Sequence, residues 1–180
     1  MKNDKVRTIT YMALMMALAL VATIAVRVPV PATQGYVHFG DTVLILSVLI
    51  LGRKKGALAG ALGQGLADIL GGYAVFAPIT FVAKLLMGLL IGIAVEMFIK
   101  YKEEKRGSLI ASAVVFVVLS CAAMVGSYYI AESVMYSSFI VPLAEIPANI
   151  IQFTAGAVLA AAVGGVLAKT PAKALFEIGK

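Results

Sequence analysis

Residues 36–73 read YVHFGDTVLILSVLILGRKKGALAGALGQGLADILGGY. The stretch opens on hydrogen-bonding side chains and passes into an apolar run broken only by Ser47. It then meets Arg53, Lys54 and Lys55, and continues as a chain of small residues in which Gln64 and Asp68 are embedded. Three consecutive cations have no place in hydrocarbon, so they mark one face of a membrane. The runs on either side must leave that face in the same direction, as a helical hairpin through a tight turn at Gly52–Gly56. Gly56, Gly60 and Gly63 allow close helix approach, as small residues do in membrane interiors.

Composition supports the membrane reading. The chain is 62% hydrophobic and 13% charged, whereas a soluble domain is about half apolar and about a quarter charged. A helix crossing a hydrocarbon core of about 30 Å needs about 20 residues. Six spans are predicted, roughly 8–28, 40–53, 55–72, 78–99, 108–131 and 142–168. The expected fold is an all-α integral membrane protein, a single six-helix domain over residues 1–180. Lys2, Lys5 and Arg7 precede span 1, and Arg53, Lys54 and Lys55 join spans 2 and 3. Lys100, Lys102, Lys105 and Arg106 join spans 4 and 5, and Lys169, Lys173 and Lys180 follow span 6. All lie on one side of a six-span chain; of the Lys and Arg residues, only Arg27 and Lys84 do not. The positive-inside rule then makes both termini cytoplasmic, with membrane lipids around the bundle. Cations clustered between apolar runs argue against nucleic acid as a partner. The first run exceeds the about 7–15 residues of a signal-peptide core and lacks a clear small-x-small cleavage site, so it is read as a retained span.

The remaining polar groups gather toward the outer half. His38 and Asp41 flank the first outer connection, PATQGYVHFGD at 31–41, which also holds Gln34 and Tyr36. Asp68 falls near the outer end of span 3, Lys84 about two turns into span 4, and Glu132 closes span 5. Glu145, Asn149 and Gln152 share one helical face, as do Gln64 with Asp68 and Thr80 with Lys84. Ionisable groups at membrane depth turn inward and pair, or function. The simplest geometry is a small polar cavity opening outward and lidded by residues 29–41. Blander readings stand beside it. Lys84 and Asp68 could be an ion pair that only holds helices together. Asp41 could simply cap span 2, His38 could sit in water, and Glu132 reads as a solvated helix end. Tyr128, Tyr129 and Tyr136 read as an interfacial belt, whereas Tyr36 and Tyr73 could stack on a flat ligand. On span 1, Ala13 and Ala17, continued by Val21 and Ala25, form a small-residue face suited either to bundle packing or to docking.

Several chemistries are excluded. There is no Walker A, HExxH or GxSxG motif. A single cysteine, Cys121, precludes an internal disulfide or a multi-cysteine metal site. Three classes remain: a binding and translocating subunit without its own energy source, a membrane enzyme acting on a lipid head group through Asp68 and Glu145, and a small channel or stand-alone carrier.

Ala13-xxx-Ala17, the 36–73 run, APITFVAKLLMGLLIG at 77–92 and EIPANIIQ at 145–152 together resemble the substrate-binding S components of energy-coupling factor (ECF) vitamin transporters. Within that group the chain is similar to the riboflavin-type branch, and most like the HmpT-like members assigned to vitamin B6 or hydroxymethylpyrimidine. Gln152 stands where riboflavin members tend to carry a lysine, which argues against a flavin. The resemblance implies a non-enzymatic importer subunit of the prokaryotic plasma membrane, its site facing outside at rest. The implied substrate is a vitamin, most simply pyridoxine, with hydroxymethylpyrimidine or riboflavin as alternatives. Gln34, Tyr36, His38, Asp68, Tyr73, Lys84, Asn149 and Gln152 are the expected binding residues. Ala13 and Ala17 would dock on a transmembrane coupling subunit that carries two ATPases. No cofactor is expected in this chain; ATP and Mg would be used by those partners.

Overall fold

The computed structural model describes residues 2–100 and 106–178. Lys102, Lys105 and Lys180, counted above for orientation, lie outside the described residues. Six helices follow in order: α1 (Lys2–Ala25), α2 (Gly40–Leu51), α3 (Arg53–Leu70), α4 (Ala77–Lys100), α5 (Arg106–Met135) and α6 (Ile146–Leu167). A two-stranded hairpin, β1 (Arg27–Val30) and β2 (Gly35–His38), stands between α1 and α2. Short 3-10 helices precede and follow α6, at Val141–Ala144 and Pro171–Glu177.

Among the described residues, four segments are long and apolar enough to cross a membrane: Lys5–Ala25, Ala77–Ile99, Ala111–Met135 and Val141–Leu167. The other two helices are the pair on either side of the basic triplet. At 12 residues, α2 is about 18 Å long, short of the about 30 Å hydrocarbon core. The turn joining it to α3 is shorter than expected. Gly52 alone separates the helices, at φ 79°, a conformation glycine adopts without steric cost. Arg53, Lys54 and Lys55 therefore form the first turn of α3 rather than a loop. Just beyond, a Cβ on Gly56 would lie 2.3 Å from the Ser47 carbonyl oxygen. That contact is close enough for the Ser47 hydroxyl to donate to the Gly56 carbonyl at 2.6 Å.

The pair places α2 in the middle of the bundle, against α1, α3, α4 and α6. Its Leu44, Ile45 and Val48 form the core with Ala57 of α3, Ala83, Met87 and Ile91 of α4, Met124 and Tyr128 of α5, and Phe153 and Ala160 of α6. By contrast, α1 buries one narrow stripe, Met15, Ala19 and Thr23, against α2 and α3. Ala13, Ala17, Val21 and Ala25 lie on its exposed side.

The hairpin corrects the all-α expectation. Residues 27–38, overlapping the expected lid at 29–41, pair antiparallel, with Arg27 opposite His38, Val28 opposite Val37, Pro29 opposite Tyr36 and Val30 opposite Gly35. Val28, Val30, Tyr36 and Val37 are strand formers, and Gln34 closes the turn at φ 55°. Arg27 anchors the hairpin. Its guanidinium donates to the Ala67 and Gly71 carbonyls at 3.2 and 3.3 Å, where a helix C-terminus favours a cation. It also lies 4.8 and 5.5 Å from the ring centroids of Tyr36 and Tyr73, within cation–π range. Hydrogen bonds of a charged donor are worth about 1.5–3 kcal/mol. Arg27→Met is therefore expected to raise amide hydrogen exchange of residues 28–38 about ten- to hundredfold, leaving the α2–α3 turn unchanged. Equal exchange in both proteins would show that the hairpin is held by something else.

Candidate functional site

Beneath the hairpin runs a chain of buried polar contacts that begins at Lys84. This side chain is fully buried, and its Nζ lies 2.7 and 2.9 Å from the two Asp41 carboxylate oxygens. Its remaining surroundings are Met124 Sδ at 3.0 Å and the Tyr128 ring at 5.7 Å. Gln152 Nε2 donates to Asp41 Oδ2 at 3.0 Å, and Gln152 Oε1 accepts from the His38 backbone N–H at 2.8 Å. The Gly40 N–H donates to His38 Nδ1 at 3.0 Å. One ion pair thus ties α4 to α2, and through Gln152 ties α6 to β2. Burial, reinforced by the Lys84 ammonium, pushes the His38 imidazole down to about 3. It is neutral, with Nδ1 as acceptor and the proton on Nε2.

A second set of groups closes the space above. The Tyr36 hydroxyl donates to Asp68 Oδ1 at 2.5 Å; burial and that carboxylate raise its pKa, so it stays a donor. The Tyr128 hydroxyl donates to Thr80 Oγ1 at 3.0 Å, and Thr80 faces Asp68. Between these groups lies a cavity of about 20 Å³, room for about one water. Tyr36, His38, Asp68, Asn149 and Gln152 line it together with Gly35, Phe76, Thr80, Tyr128 and Glu145. Edge groups that both donate and accept thus surround an aromatic floor and lid.

The sequence and the fold match known proteins. The family model described as "ECF-type riboflavin transporter, S component" matches residues 3–169. The chain belongs to this ECF S component family. It is also 31% identical over 149 residues to a protein of Pyrococcus woesei described as "Uncharacterized protein in gap 3'region", covering 83% of this chain and 93% of that one. A solved structure described as "Structure and mechanism of the S component of a bacterial ECF transporter" superposes with a TM-score of 0.64 at 20% identity, covering 94% of this chain and 98% of that one. As an S component the chain is a vitamin-binding transporter subunit embedded in a membrane, and not an enzyme.

Not every expected residue of this S component reaches the cavity. Gln34 is exposed in the hairpin turn and does not line it; the left-handed turn carries that side chain out. Lys84 lies behind the cavity and is engaged by Asp41, not by Asp68. Tyr73 sits one layer out, its ring centroid 4.6 Å from that of Tyr36. Asp41 makes no side-chain cap bond for α2. Two belt tyrosines turn inward instead: Tyr128 is buried, and the Tyr136 hydroxyl donates to the Thr33 carbonyl. Tyr129 stays half-buried, donating to the Phe139 carbonyl at 3.1 Å. Glu132 is not a solvated helix end but buried, 1% exposed. Its place on the inner face of α5, one turn after Tyr128, was the available signal.

Removing one partner of a buried pair costs about 3–5 kcal/mol, because the other charge is left uncompensated. Lys84→Met should therefore lower the melting temperature in detergent strongly, whereas Lys84→Met combined with Asp41→Asn should recover most of the loss. If the double variant is no more stable than the single, the pair is not the keystone of this region.

Proposed function

We propose that this S component captures a small, flat, neutral-to-weakly-basic heteroaromatic vitamin, most simply pyridoxine or a close vitamin B6 form, with hydroxymethylpyrimidine next. The cavity beneath the hairpin carries this reading. Tyr36 offers a face for one ring, and His38 Nε2–H and the Asn149 carboxamide offer edge contacts. Gln152 acts from its two bonds to Asp41 and β2, so it couples the ligand site to the hairpin. Drug-sized ligands occupy about 300–1,000 Å³, so the hairpin must lift before a vitamin enters the cavity. A phosphate ester would want a cluster of cations; Lys84 and Arg27 are already engaged. Riboflavin is the second reading, favoured by the description of the matching family. It requires a larger displacement of Tyr36 and Phe76 than a single ring does.

The test is a binding titration of wild type, Asn149→Ala and Gln152→Ala against pyridoxine, hydroxymethylpyrimidine, riboflavin and pyridoxal phosphate. Losing one buried ligand hydrogen bond costs about 1–3 kcal/mol, or roughly ten- to hundredfold in affinity. Either one-ring vitamin should bind tightest, with a loss of that size in Asn149→Ala. Tighter riboflavin or phosphate-ester binding, or no loss in either variant, would overturn the substrate class.

The same reading extends to orientation and partners. The basic ends of the helices would face the cytoplasm and the hairpin the outside, as the positive-inside rule requires. ATP and Mg would be used by two ATPases attached to a transmembrane coupling subunit. The exposed Ala13 and Ala17, remote from the cavity, suit close approach by a helix of that subunit. Ala17→Trp should leave vitamin affinity unchanged and abolish uptake in cells containing the full complex; normal uptake would remove α1 from the docking surface.

A further inference from the structure

The acids around the cavity outnumber its cations. Asp41, Asp68, Glu132 and Glu145 are all buried, with His38 neutral among them. The positive charges are Lys84, held by Asp41, and Arg27, held by the end of α3 and two tyrosine rings. Glu132, one turn before the end of α5, and Glu145, the residue before α6, bring their carboxyl groups within hydrogen-bonding reach of each other. They are 1% and 4% exposed. Among the described residues, neither oxygen of Glu132 nor Oε2 of Glu145 receives a hydrogen bond from a protein donor. Two carboxyl groups in contact cannot both stay ionised without a proton or a cation between them.

Glu145 is also the member that lines the cavity, while Glu132 stands behind it. The hairpin is shaped to leave it there. A Cβ at Gly35 would come within 2.7 Å of Glu145 Oε1, so a side chain on this lid residue would press on the carboxyl group. Asp68, which accepts from Tyr36 and faces Thr80, also lines the cavity. Among the described residues, no donor or positive charge meets the free oxygens of Glu132 and Glu145.

We propose that the Glu132–Glu145 pair receives a protonated nitrogen of the substrate, so that this S component takes a small heteroaromatic ring bearing an ammonium group in preference to its uncharged analogue. The inference rests on the one-ring reading above and, within it, favours a charged amine form over neutral pyridoxine. The ammonium would donate to Glu145 Oε2 from within the cavity, with Glu132 as its second carboxylate. Asn149 and His38 Nε2 would remain for the ring substituents.

The experiment compares pyridoxamine, which carries a primary ammonium, with pyridoxine, which has a hydroxyl in its place, by calorimetric titration of the purified full chain. Riboflavin and hydroxymethylpyrimidine are titrated alongside. Pyridoxamine should bind at least about tenfold more tightly than pyridoxine, the scale of one hydrogen bond to a charged group. Glu132→Gln, which keeps the shape of the side chain, should erase that preference. Equal affinity for the two forms, or an unchanged preference in Glu132→Gln, would overturn this proposal while leaving the one-ring reading in place. Binding of riboflavin alone, or of none of the four, would overturn both. The wild-type comparison decides the matter even if the variant does not fold.

Discussion

The Lys84–Asp41 ion pair is the constraint on which the hairpin-bearing half of this protein depends. An ammonium fully withdrawn from water is tolerated only where its charge is matched and its donors are used. Here both carboxylate oxygens are within 2.9 Å of Nζ, and a thioether and an aromatic face complete its surroundings. Because Asp41 stands in the first turn of α2, the pair fixes the depth of α2 against α4. Because Gln152 donates to the same carboxylate, α6 is set at that depth as well. The second end of the Gln152 amide then holds β2 by its backbone. A charge pair in the core thus determines where the lid rests.

Above that spine the hairpin fills the site rather than merely covering it. Tyr36 reaches down to Asp68, Gly35 lies on Glu145, and the Thr33 carbonyl accepts from Tyr136. These contacts lie at the turn end of the hairpin, where a ligand with suitable donors can replace them. Arg27, by contrast, is bound at the base of the hairpin to α3 carbonyls that no ligand need contact. The element is therefore anchored at one end and held by exchangeable contacts at the other. This is the distribution expected of a lid that moves without unfolding.

The opposite half is built differently. Close packing of α2 and α3 through Gly56, and of α3 against α1 through Gly63, whose Cβ would lie 2.3 Å from the Met16 carbonyl oxygen, makes a rigid unit with few polar groups. Among the described residues, the ion pair there, Arg53 with Glu96 at 3.2 Å, is half exposed and contributes about 0–1 kcal/mol. Stability in that half comes from dispersion between closely approaching backbones, and α1 retains an unpaired face of small side chains. Vitamin recognition and partner contact can thus reside in separate parts of one small bundle.

The sequence by itself determined the membrane class, the order of the helices and the gathering of Tyr36, His38, Asp68, Asn149 and Gln152 at one end. These follow from local rules: apolar length, positions of cations, and i, i+4 spacing that sets which residues share a helical face. Only the tertiary structure decided which face meets which. The spacing of Lys84 and Asp68 suits a pair, yet rotation of α4 about its axis delivers Lys84 to Asp41 and leaves Asp68 to Tyr36. The position of Glu132 near a helix end suggests water, yet the return of the chain through the 3-10 helix at Val141–Ala144 brings Glu145 against it. The hairpin at 27–38 was hidden for a related reason. Four-residue strands are stable only when something holds them, and what holds these, the end of α3 beside Arg27 and the amide of Gln152, is distant in sequence. Helical faces are written along the chain; the partners of buried charges are chosen by packing across it.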